Sequence, residues 1–189
     1  GIAGLQSLEH DPLLKASVLL EMGEVSYHLA LNQTADSLLR EALHIYTNQY
    51  GNDHLQVAQT LHWLGMLLLD QKDYQTARMH LEQALAIREA NLSSNDPALL
   101  ECLSALADVF MQSGDLETAE HLLRRALSFR SYKHLEHHHE IFSAIDGLGR
   151  IRLVEGTMSA DSAVRAQKMD TSEALFGEAL NLRKNYLGP

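Results

Sequence analysis

Seven residues carry the densest chemistry in this chain. The stretch "HLEHHHE", residues 134–140, holds four His and two Glu. Neutral imidazoles are good ligands for zinc or copper, so His134, His137, His138 and His139 are candidate metal ligands. In a helix only His134 and His138 would share a face, and further ligands would have to come from elsewhere. The competing readings are a solvated polar linker and a pH-responsive one, since imidazole titrates near physiological pH. Other chemistry is sparse. The lone Cys102 has no local His or Asn that would mark a nucleophile and reads as a buried structural thiol. "GLG" at 147–149 has no strand before it, so a phosphate loop is not indicated. No G-x-S-x-G, H-E-x-x-H or C-x-x-C occurs. A non-enzyme without cofactor is expected.

The elements that would position these residues follow from composition and periodicity. The 189 residues include three Pro and one Cys, and 46% are hydrophobic. Few Pro and no strand-like clusters of Val, Ile and aromatics point to an all-α chain. A single Cys suits a reducing, intracellular and cytoplasmic setting without disulfides. No apolar run approaches the ~18 residues of a membrane span, and no signal peptide opens the chain. The net charge of −10 argues against nucleic acid as partner. That charge is uneven: residues 1–120 hold 5 basic and 17 acidic side chains, residues 121–189 hold 10 and 8.

A 42-residue period organises the chain. Gly23, Gly65, Ala107 and Gly149 are in step, as are Leu19, Leu61, Leu103 and Ile145. Ala35, Ala77 and Ala119, then Leu39, Leu81 and Leu123, then Ala42, Ala84 and Ala126 repeat downstream. Each unit reads L-x-x-L-G-x-x-L and then A-x-x-x-L-x-x-A, two amphipathic helices with small residues at their contact. Turn signals separate them at 70–74 and 112–116. Asp11-Pro12 and Asp96-Pro97 predict an N-cap followed by an N1 proline. Asp53 through Gln56 has capping-box spacing, with Asp53 as the cap.

These motifs resemble the tetratricopeptide repeat (TPR) in the long form found in kinesin light chain and nephrocystin-3. "ALAIREANLSSNDP" (84–97) and "DHLQVAQTL" (53–61) are similar to the junctions of those families. The resemblance implies an all-α, right-handed α-solenoid of about four helix pairs, forming one domain over 1–189. The repeats fall at about 9–50, 51–93, 94–136 and 137–189. The last carries an insertion at 157–167, an elongated turn or an extension of the helices. The chain opens on Gly1 and closes on "LGP" without a polar capping helix, so a piece of a longer array is expected.

Such solenoids bind peptides along a concave surface built from the first helix of each pair. Transferred to this chain, the surface would comprise Leu20, Glu24 and Tyr27, then Gln59, His62, Trp63, Met66 and Leu69. The third repeat would add Glu101, Ser104, Asp108 and Met111, the fourth Asp146, Arg150 and Leu153. The apolar members Leu20, Met66, Leu69, Met111 and Leu153 are edged by Glu24, Glu101, Asp108 and Asp146. Adaptable Met and aromatic side chains beside carboxylates suit a protein partner offering a basic, amphipathic segment. Two alternatives have their own features: self-association as a homo-oligomer through the solenoid ends, or a metal- or pH-responsive module at His134–His139.

Overall fold

The structure, a computed structural model, describes residues 11–129 and 139–187. Among these the regular structure is helical: α1 Pro12–His28, α2 Asn32–Tyr50, α3 Leu55–Asp70, α4 Tyr74–Asn91, α5 Pro97–Ser113, α6 Leu116–Ser128, α7 His139–Met158 and α8 Ser162–Leu187. The chain forms two compact units, Gly1–Ser93 and Ser94–Pro189. In the first, α1 packs on α2, α2 on α3 and α3 on α4. In the second, α5 packs on α6, α7 on α5 and α6, and α8 on α7.

Short polar side chains start the helices. Asp11 accepts from the Leu13 and Leu14 amides at 3.0 and 3.1 Å, ahead of Pro12. Asp96 accepts from Ala98 N at 2.9 Å, ahead of Pro97. Asp73 and Asp115 cap α4 and α6 through the Thr76 and Thr118 amides. The cap of α3 differs from expectation. It is His54, not Asp53, whose Nδ1 accepts from Gln56 N at 3.2 Å. The His54 ring also stacks on Tyr50 with centroids 3.9 Å apart, which holds it over the helix end.

The turns inside the first three pairs share a backbone feature. Ala30, Lys72 and Gly114 fall in one 42-residue column, and all have positive φ, 57°, 64° and 90°. Each reverses the chain just after its helix, a conformation glycine adopts without strain and the other two do not.

The small-residue columns are contact points. A Cβ added at Gly23 would lie 2.7 Å from Leu39, one at Gly65 2.5 Å from Leu81, and one at Gly149 2.7 Å from Phe176. Leu39 and Leu81 are wholly buried, so neither can move aside cheaply. Around these contacts Ala35, Ala42, Ala77 and Ala84 in unit 1 have no exposed surface, nor do Ala119 and Ala126 in unit 2.

The extra residues of the fourth repeat lengthen both helices. Gly156 lies inside α7, which continues to Met158. Asp161 then accepts from the Ala163 and Val164 amides at 2.8 and 3.3 Å and starts α8 at Ser162. Ser172 Oγ donates to Gly149 O at 2.9 Å in the buried seam between α7 and α8. Arg152 bridges Glu120 of α6 and Glu155 of its own helix, and Glu155 also pairs with Lys168 at 2.6 Å.

Candidate functional site

In unit 1 the expected surface residues stand on α1 and α3. Leu20 and His62 are buried, 5% and 7% exposed, and support the surface rather than form it. Glu24, Tyr27, Gln59, Trp63, Met66 and Leu69 are partly exposed. Trp63 is the centre of an aromatic cluster. Its ring centroid lies 5.6 Å from Tyr27, 5.3 Å from His28 and 5.5 Å from His62, the His rings edge-on. Such edge-to-face pairs fix ring orientation and leave part of each π-face available.

Electrostatics here is set by burial first. Desolvation, and then the Asp70 carboxylate that accepts its hydroxyl hydrogen bond, push Tyr27 up to about 12. Tyr27 is therefore a neutral donor held by Asp70. Burial, with the Arg88 guanidinium adding to it, pushes His62 down to about 3. His28 and Asp70 belong to this cluster and were not among the expected residues. They neighbour Tyr27 and Leu69 in sequence, and only the position of α3 on α1 brings them together.

In unit 2 the expected residues stand on α5 and α7. Ser104 is buried at 6% exposure, while Glu101, Asp108, Met111, Asp146 and Leu153 are partly exposed and Arg150 is exposed. Arg150 Nη2 lies 3.6 Å from Asp108 Oδ1 and 3.6 Å from Met111 Sδ. Burial raises the Asp108 carboxyl, Arg150 opposes that rise, and Asp146 adds to it. Glu140 is likewise raised by burial, against the neighbouring His139 at 2.9 Å. A cleft of about 500 Å³ opens beside these groups. Asp108, Asp146 and Arg150 line it with Phe142, Phe176, Leu180 and Arg183, of which the last four lay outside the expected set.

His134, His137 and His138 lie outside the described residues. His139 opens α7 beside Glu140. Among the described residues no three His, Cys, Asp or Glu side chains gather in a way that could hold a metal ion. Cys102 is buried in α5. No described helix is long and apolar enough to cross a membrane.

Paired helices, small-residue seams and a half-exposed face on the first helix of each pair define a helical-repeat interaction module. The tetratricopeptide repeat family model matches residues 14–90 and 56–131, and the chain belongs to that family. A TPR repeat-containing protein of Dictyostelium discoideum is 32% identical over 120 residues, 62% of this chain and 7% of that protein. The human clustered mitochondria protein homolog is 27% identical over 152 residues, 80% of this chain and 11% of that protein. The chain thus matches about a tenth or less of the length of these relatives.

Solved structures agree on the fold. BtubC (BKLC) of P. vanneervenii superposes with a TM-score of 0.75 at 16% identity, covering 95% of this chain and 67% of that one. A kinesin light chain protein of Podospora anserina with nearly identical TPR-like repeats gives 0.62 at 19%, covering 94% and 95%. The fold class is the all-α solenoid. Repeats of this family mediate protein–protein interaction.

Proposed function

We propose that the chain is a non-catalytic scaffold, a single array of four repeats, whose first-helix faces take a basic, amphipathic segment of a protein partner. The observation that carries this reading is the half-exposed Trp63–Tyr27 pair with its Asp70 carboxylate and the neighbouring Met66 and Leu69. Aromatic anchors in partly desolvated sites dominate binding energy at interfaces, and a π-face next to a carboxylate attracts a guanidinium or ammonium group. The unit 2 face supports the same partner through Glu101, Asp108 and Asp146 beside Met111. An acidic surface of this kind favours a protein partner over nucleic acid. The single Cys fits an intracellular, cytoplasmic setting.

A synthetic Lys/Leu amphipathic peptide tests the reading, with a peptide of the same composition in scrambled order as control. The amphipathic peptide should bind more tightly, and its affinity should fall as salt rises. Glu101→Lys combined with Asp108→Lys should weaken it by about tenfold and flatten the salt dependence. Equal binding of both peptides, or unchanged affinity in the double variant, would contradict the proposal.

A further inference from the structure

Unit 2 repeats the first-helix face of unit 1 two 42-residue steps further along the chain, and both faces use one register. In unit 1 α1 meets α3, and Trp63 of α3 packs on Tyr27 of α1. In unit 2 α5 meets α7, and Gly147 holds the place of Trp63. A Cβ added there would lie 3.6 Å from Cε of Met111, the counterpart of Tyr27. The columns one turn away carry charge. Asp108 of α5 receives Arg150 of α7, whose Nη2 lies 3.6 Å from Asp108 Oδ1 and 3.6 Å from Met111 Sδ. One guanidinium thus spans a carboxylate and a soft, polarisable group on the neighbouring helix. The Arg150 side chain is 44% exposed, so the contact forms at the surface.

Unit 1 keeps the receiving side of this contact but has Met66 where unit 2 has Arg150. Glu24 holds the Asp108 column and Tyr27 the Met111 column. The two share one face of α1, and a thioether at Met66 cannot pair with the Glu24 carboxylate. The receiving side is also richer than its counterpart. Tyr27 and Trp63 offer two partly exposed rings in place of one sulfur, 5.6 Å apart and tilted by 50°. Exposed Asp70 brings a second carboxylate, and the Tyr27 hydroxyl takes up one of its roughly four acceptor positions.

We infer, on the basis of the proposed function, that the face of α1 and α3 binds an arginine side chain of the basic partner segment, in the place that Arg150 fills between α5 and α7. A guanidinium fits this face better than an ammonium for two reasons. It is planar and weakly hydrated, so it stacks on an exposed ring, whereas an ammonium keeps its water. Its five N–H donors lie along the edges of that plane, which leaves them for the Glu24 and Asp70 carboxylates while the flat face covers the ring.

Two peptides of one amphipathic layout test this by calorimetry, one with Arg and one with Lys at every basic position. The Arg/Leu peptide should bind about tenfold more tightly than the Lys/Leu peptide. Glu24→Gln should shrink that preference to about threefold or less while leaving helical circular dichroism unchanged. Met66→Arg supplies the cation from within the chain. It should abolish the preference, because an internal guanidinium then occupies the site, and Met66→Leu should retain it. Binding of neither peptide would overturn the proposed function and the arginine site together. Equal binding of both would overturn the arginine site alone and leave the basic-segment reading standing. So would a preference that survives undiminished in Glu24→Gln or in Met66→Arg.

Discussion

His62 shows how a polar residue in a repeat column becomes part of the core. It lies under Trp63 with 7% of its surface exposed, and its imidazolium is suppressed to about 3 by burial first and by Arg88 second. The unfolded chain takes up this proton near pH 6.5 and the folded chain does not. Folding stability from this residue is therefore complete above 6.5 and declines as pH falls toward 3, by up to about 1.4 kcal/mol per pH unit. Urea unfolding at pH 7 and pH 5 should show a loss of about 2 kcal/mol in the parent that is largely absent in His62→Gln. Parallel pH dependence in the two proteins would contradict this assignment. The 42-residue columns placed His62 on the correct helix and face. They could not show its burial, because that depends on how α3 packs against its neighbouring helices. Ser104 and Leu20 were submerged in the same way. Partners recruited across helices, such as Asp70 to Tyr27 or Arg183 to the Arg150 cleft, leave no periodic signal.

At the scale of the element, the repeats differ most in how their turns are finished. Leu31 starts α2 with φ −86° and ψ 63°, close to the −83° and 70° of Asp73 and the −84° and 77° of Asp115. Asp73 and Asp115 cap the amide three residues on, at Thr76 and Thr118. Thr34 waits at the same spacing after Leu31, whose side chain makes no cap and is 51% exposed. Leu31→Asp should stabilise the protein by about 1 kcal/mol and raise its Tm, as a new N-cap does on an unstrained backbone. A lowered Tm would contradict the shared geometry. Elements were the most legible level in the sequence. The Gly23, Gly65 and Gly149 positions proved to be contact points because helix contact at a fixed repeat demands a small residue at a fixed phase. One local feature escaped. A stacked His54 ring took over the capping role expected of Asp53. Residues 157–167 mainly extend α7 and α8, one of the two conformations expected of them, because Asp161 caps the helix start at Ser162.

For the molecule as a whole, the charge of −10 is better read as a distribution. Acid dominates residues 1–120, and the residues after them, which include Arg150 and Arg183, carry a slight basic excess. That distribution underlies the proposed function: carboxylates beside aromatic and Met side chains suit a basic partner segment. Trp63 is the single tryptophan of the chain and stands at the centre of the proposed binding face. Its fluorescence during titration with the Lys/Leu amphipathic peptide is the most direct measurement of the central claim. We expect a saturable change in Trp63 emission, lost in Tyr27→Ala combined with Asp70→Lys and insensitive to the scrambled peptide. Calorimetric binding of the amphipathic peptide with Trp63 emission unmoved would place the partner elsewhere and contradict the account.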